Sequence, residues 1–343
     1  MKYQKYLLIG SLAVLLTLIP ILVSATPQYK ITDLGTLAYD ESVANGINNR
    51  GQVVGQGFLE EELDRPVLWE KGSIVNLGTL GGDELYDVVN KATSINNRGQ
   101  VVGGSYNEHR KHHAFLWEKG TMIDIGHLGG DYSRAIDINE RGQIVGYSST
   151  TDPRTLAFLW EDGNMIELGT LEGGNSSHAY GINNLGQVVG NSAFSIPHIT
   201  GIHAFLWENG TMIDIGDLGD GRKASYAYAI NDNGQVVGQS YTLEGGPHAF
   251  LWEEGILTDL GTLGGKSSYA RDINNRGQIV GYSNTESGEM HAFLWEDGVM
   301  IDLGTLEGAN LSRANAINEN GQIAGACHTD LGAVHACKWE IGP

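Results

Sequence analysis

"ARDINNRGQIVGYSNTESGEMHAFLWEDGVMIDLG", from Ala270 to Gly304, contains four short apolar segments separated by turn residues. "ARDIN" comes first, "NRG" turns into "QIVGYS", a looser loop leads to "HAFLW", and "EDG" turns into "VMIDLG". Segments of this length, bounded by Asn, Asp and Gly, read as the strands a, b, c and d of an antiparallel meander. Asn, Asp and Gly supply the positive φ angles of tight hairpins, so neither short turn is a crossover. The Gly-rich "TLGGKSS" that precedes this stretch (Thr262–Ser268) is long enough to connect one meander to the next. Strand a is then innermost and strand d outermost.

The whole chain repeats this unit. Its Ile-Asn-x-x-Gly-Gln motif places glycines at 51, 99, 142, 186, 234, 277 and 321, with separations of 48, 43, 44, 48, 43 and 44 residues. All seven tryptophans, from Trp69 to Trp339, fall at one repeat position on strand c. A period near 45 in a strand-rich chain indicates propeller blades rather than helical arrays. A small residue, Ala44 in the first copy and Ala314 in the last, recurs in every strand a, where blades crowd around an axis.

The ends are complementary. "YKITDLGTL" (Tyr29–Leu37) has a strand d without its front half, whereas the last copy ends "HACKWEIGP" with strand c present and strand d missing. The expected fold is all-β: a seven-bladed β-propeller of four-stranded antiparallel blades, its ring closed by the N-terminal strand so that no blade keeps an unfinished edge. An open solenoid is the alternative, and it would want polar capping repeats. Residues 1–25 read as a signal peptide, with a basic start, an apolar run from Leu7 to Val23 and a small-residue cleavage site. The competing reading is a retained N-terminal anchor. Residues 26–343 then form one propeller domain, extracellular or at the cell surface.

With 41% hydrophobic and only 18% charged residues the composition is that of a folded protein. A net charge of −20 disfavours nucleic acid and anionic lipid as partners.

The hexapeptide His-Ala-Phe-Leu-Trp-Glu, intact at His113–Glu118, His203–Glu208, His248–Glu253 and His291–Glu296, resembles the extracellular HAF-repeat family over essentially the whole mature chain. The chain departs from it at Arg65-Pro66-Val67, Leu156 and Cys337. The resemblance implies secretion and a repeat scaffold, and no particular activity. The closure by an N-terminal outer strand also looks like that of WD-repeat propellers, although their Gly-His signature is absent.

Chemistry is sparse. Cys327 and Cys337 lie on strands b and c of the last copy, and in an oxidising compartment they read as a disulfide. The histidines that open strand c are expected to hydrogen-bond within each blade, to the Ser that ends strand b, and not to form a metal ring. His109, His112 and His113 give a weak local metal signal; Asp214, Asp217 and Asp220 lack the spacing of an EF-hand calcium loop. The catalytic signatures of zincins, serine hydrolases, phosphate loops and thiol redox enzymes are missing. Asp137 and Asp272, on strands a of the third and sixth copies, would serve a glycosidase only if close together, and opposite placement around a ring argues against it. The Asp of "IDLG" reads as part of a solvated outer strand.

The candidate ligand site is the residue before the repeated Ala of strand a. Val43 occupies it first, and then Lys91, Arg134, His178, Tyr226, Tyr269 and Arg313. Cations and aromatics concentrated there in an acidic protein suggest a ring at a channel mouth, on the face of the d–a and b–c loops, that stacks on a sugar and engages carboxylate or sulfate. The expectation is a monomeric, cofactor-free binding or scaffold propeller for an extracellular acidic glycan or peptide. A secreted carbohydrate-active enzyme using the same face and a purely structural surface protein are the rivals.

Overall fold

A computed structural model of the protein describes residues 29–60, 63–82, 89–196, 199–219 and 224–342. The expected leader and Asp220 lie outside the described residues. Among those residues every regular element is a strand, numbered β1 to β28 in chain order. No helix among them is long and apolar enough to cross a membrane.

The copies fold as up-and-down antiparallel sheets. β2 (Ser42–Ile47), β3 (Val53–Glu60), β4 (Leu63–Glu70) and β5 (Ser73–Asn76) pair in chain order as strands a to d. Four-stranded sheets within residues 177–216, 225–259 and 264–302 repeat the pattern. The copies at 91–124 and 129–169 do so as well, and one parallel pair, Tyr132 beside His112, joins them into an eight-stranded sheet. At the c–d turns two successive residues have positive φ, for example Asp297 at 51° and Gly298 at 83°. That geometry matches the strand twist of a two-residue hairpin. Lys71, Lys119 and Glu254 adopt it too, at 50–52°, so the turn is imposed by the strands around it as much as by Asn or Asp.

The last copy supplies three strands, β26 (Ser312–Ile317), β27 (Ile323–His328) and β28 (Val334–Ile341). β1 (Tyr29–Asp33) lies antiparallel against β28, with Ile31 opposite Trp339, and completes a sheet in the order β1-β28-β27-β26. Trp339 is fully buried and packs with Leu294, Leu303 and Ile317, and Tyr29 and Ile31 close over that cluster. The tryptophans of copies two to six are only half-buried. Cys327 and Cys337 stand at disulfide distance in the same sheet, with Cα atoms 5.9 Å apart. In copies two to six the position of Cys327 is a Ser whose hydroxyl accepts the N–H of a crossover Leu, as Ser283 does from Leu263 at 2.9 Å.

Two recurrent bonds lock neighbouring copies, and a third ties strand c to strand d within a sheet. The Ser two residues before the repeated Ala accepts an N–H from strand c of the preceding copy and donates to its strand d: Ala292 N–H to Ser312 Oγ at 2.9 Å, Ser312 Oγ–H to the Gly304 carbonyl at 2.6 Å. Ser42 does the same with Ala336 and Gly35 at 2.9 Å, between the last copy and the first. The Asn of Ile-Asn-x-x-Gly-Gln donates to the backbone carbonyl of its counterpart one copy on. These bonds, at 2.9–3.2 Å, run from Asn48 to Asn96 and onward, and Asn318 donates back to Asn48.

The second copy differs. Asn90 replaces the Ser, and its N–H and side chain donate to the buried Asp64 at 2.9 and 3.3 Å, in the first copy where "Arg65-Pro66-Val67" departs from the repeat. Burial pushes the Asp64 carboxyl up to about 6 against the pull of those two bonds and of Arg65.

The third bond involves the strand c histidines, whose partner is not the Ser of strand b. Nδ1 of His113, His203, His248, His291 and His335 meets the Asp of strand d eleven residues on, or Asp33 for His335, at 2.7–3.0 Å. The same carboxylates accept the N–H of the Gly two residues later, as Asp302 does from Gly304 at 2.8 Å. The "IDLG" aspartates are therefore tied to strand c and to their own turn while half-exposed. An Asp beside His on the neighbouring strand stabilises the cationic ring, so the His335 pKa rises despite burial, with Asp33 at 2.7 Å and Asp40 at 3.0 Å.

Candidate functional site

A β-bulge interrupts strand a in every copy, directly after the repeated Ala. A bulge adds one residue to a strand and re-aims its side chain. Here the bulged residues are Asn45, Thr93, Ile136, Tyr180, Tyr228, Arg271 and Asn315, and all seven line one cavity of about 360 Å³. A second polar cavity of about 320 Å³ opens among the a–b turns, lined by the Asn residues that link the copies and by Glu140, Asp232 and Glu319. The two share Ile47, Ser94, Asp137 and Asp272 and so adjoin at those residues. One mouth carries Lys91, Arg134 and Arg271; the other carries acids.

A series of aromatic rings runs into the wall of the cationic end, where Tyr147, Tyr180 and Tyr228 line the cavity. Tyr106, His112, Tyr132, Tyr147, His178, Tyr180 and Tyr228 follow one another with centroids 4.5–6.3 Å apart. The Arg271 guanidinium lies 4.4 Å over the Tyr228 ring and ends the series. Burial raises the pKa of Tyr180 and lifts Tyr228 to about 12, so both hydroxyls stay protonated. His178 and His112 are shifted downward by burial and stay neutral. Arg134 Nε is buried with no acceptor among the described residues. Gly104, across from Lys91 on strand b, leaves the space that the His112 ring and the Arg134 stem use.

Of the six residues expected from sequence, Lys91 and Arg134 line this cavity. His178 stands behind it, stacked on Tyr180 at 6.3 Å. Tyr226 is outside the cavity wall, Tyr269 stacks on Tyr282 at 4.8 Å, and Arg313 lines a neighbouring hollow. Tyr180, Tyr228 and Arg271 were not singled out by the sequence. The signal was present, since these residues vary among the copies as much as those one place before the Ala. Strict alternation hid it, because a bulge breaks the period of two at that residue.

Asp137 and Asp272, from the third and sixth copies, both line the two cavities. Asp137 accepts Ser94 Oγ–H at 2.7 Å and the N–H groups of Ile138 and Ile182 at 2.8 and 3.0 Å. Asp272 accepts from Ile273 and Ile317, each at 2.8 Å. Burial raises both carboxyls and carries Asp272 to about 7, with the charges of Asp137 and Glu319 adding to the rise. Among the described residues no three His, Cys, Asp or Glu side chains are placed to hold a metal. His112 instead contacts the Ser133 and Val89 carbonyls at 3.0 Å, and Asp214 and Asp217 both face His203.

A family model described as a protein of unknown function (DUF3466) matches residues 196–299. Comparison with curated proteins found no match. Among solved structures, a puromycin-hydrolysing peptidase of Mycobacterium tuberculosis is similar at 10% identity and a TM-score of 0.59, covering 91% of this chain and 54% of the peptidase. This chain thus spans about half of that protein. The β-propeller domain of the trilobed protease of Pyrococcus furiosus is similar at 11% identity and a TM-score of 0.55, over 88% of this chain and 96% of that domain. Likeness at such identity speaks to the fold alone: this is an all-β, propeller-like protein built of four-stranded antiparallel sheets.

Proposed function

We propose that the protein is a secreted, closed seven-bladed propeller that binds an acidic glycan at the cationic mouth of its axial passage and does not turn it over. The observation that carries the reading is the convergence of all seven bulged residues on one cavity that also gathers Lys91, Arg134 and Arg271, in a chain with a net charge of −20. Local cations in an acidic protein select anions, and guanidinium groups do so with paired hydrogen bonds. The faces of Tyr180 and Tyr228 suit a sugar ring better than an extended peptide. Closure is supported by the Asn series that returns from Asn318 to Asn48 and by the Ser42 bonds to both ends of the chain.

A glycosidase is the second reading, favoured by two carboxyls of raised pKa at the floor of one cavity. It is disfavoured because backbone N–H groups already occupy oxygens of both.

Calorimetric titration with polygalacturonate, a neutral glucan and a polyglutamate peptide tests the proposal. Saturable binding of the polyuronate alone, with no shortened product, is expected. Arg271→Ala and Tyr228→Ala should each weaken it by about tenfold or more, the worth of one charge-assisted bond or stacked ring, with little change in melting temperature. Affinity should also fall as pH rises from 6 to 8, because Asp272, with its pKa near 7, then ionises and adds negative charge beneath an anionic ligand. Preference for polyglutamate would replace the glycan by an acidic protein partner; released oligosaccharides would establish the enzyme.

A further inference from the structure

We infer that the site holds two subsites and that its ligand is a chain of at least two linked anionic sugars; this rests on the acidic-glycan reading of the central cavity. Beside that cavity lies a hollow of about 280 Å³ lined by the sixth and seventh copies and by Val43 of the first, and Arg271 and Asn315 belong to the walls of both. Its far side carries Arg313, whose guanidinium sits 5.2 Å over the Tyr282 ring. Tyr282 is itself stacked on Tyr269 at 4.8 Å.

The arrangement repeats that of the central cavity, where Arg271 covers Tyr228 at 4.4 Å. An arginine lying on a tyrosine is held flat; Arg313 donates Nε–H to Met290 Sδ at 3.2 Å, which fixes it further and leaves its terminal NH2 groups to meet a carboxylate or sulfate. Two such pairs, one per hollow, match two anionic groups on one chain. Val43, Leu311 and Val334 give the side hollow an apolar lining for the carbon face of a sugar ring. Arg271, on the shared wall, lies where the two units join. Linking two weakly bound units makes the second binding event intramolecular, so affinity rises with chain length until both subsites are filled.

The test is calorimetric titration of the full chain with galacturonic acid and its α-1,4-linked di-, tri- and tetramers. The expected result is a gain of about tenfold or more from the monosaccharide to the longest oligomer, from one added arginine contact. Arg313→Ala should bring the tetramer-to-monomer affinity ratio close to one. Equal affinity for all lengths, or a ratio unchanged in Arg313→Ala, overturns the second subsite and leaves the central reading standing. Failure of every uronate to bind the unaltered chain overturns both.

Discussion

A chain that begins at Tyr39, and so lacks β1 and the segment after it, will aggregate or unfold far below the melting temperature of the complete chain. β1 contributes the outer partner of β28 and covers Trp339 with Tyr29 and Ile31. Leu34 and Leu37 pack against the core of the first copy, around Ala44 and Trp69, and the Leu34 N–H donates to the Ala336 carbonyl at 2.9 Å. Without them β28 presents a full row of unpaired N–H and C=O groups beside exposed apolar surface, a template for pairing with another chain. Asp33, which holds the ring of His335, goes with the same segment. Thermal unfolding and light scattering of the truncated chain provide the check. A synthetic peptide of residues 29–38 added in trans should restore part of the lost stability. Unchanged melting of the truncated chain would mean that its N-terminal strand is dispensable.

Trp339→Ala will cost about 3–5 kcal/mol, the range for emptying a fully buried aromatic site. Trp339 is wholly inaccessible and sits where the two ends of the chain meet, whereas Trp295 at the same repeat position is half-buried, so Trp295→Ala will cost less. Trp339→Phe separates packing from polarity. The indole N–H of Trp339 is buried without an acceptor among the described residues, and leaving a donor unpaired costs about 1–3 kcal/mol. Phe keeps most of the contacts and removes that burden, so it should be close to neutral. Denaturant unfolding of the three variants gives the comparison; equal losses for Trp339→Ala and Trp295→Ala would remove the special place of the closing sheet.

Much of this architecture was legible in the residues because the repeat prints its turns. Ile-Asn-x-x-Gly-Gln marks each a–b hairpin, and the truncated first and last copies pointed to the pairing of Tyr29–Asp33 with Val334–Ile341. The Cys pair was legible for the same reason, since two positions changed together in one copy.

What escaped was set by geometry that composition does not encode. The histidines were assigned to Ser, yet their ring nitrogens reach across strand c to Asp on strand d, while the strand b Ser residues are engaged with the crossovers. The ligand ring was placed one residue before the repeated Ala; the cavity takes Lys91 and Arg134 from that position and, because of the bulge, Tyr180, Tyr228 and Arg271 from the residue after the Ala. Asp137 and Asp272, three copies apart in sequence, line the same two cavities because the residues after the bulge in strand a face them in several copies.

Hydrogen exchange at the N-terminal segment tests the central claim, a ring of seven copies closed by its own first strand, most directly. Peptides spanning residues 29–37 should be protected as strongly as those spanning 299–304, the strand d that the sixth copy supplies for itself. Exchange of residues 29–37 at the rate of unstructured chain, with 299–304 protected, would contradict the closed propeller.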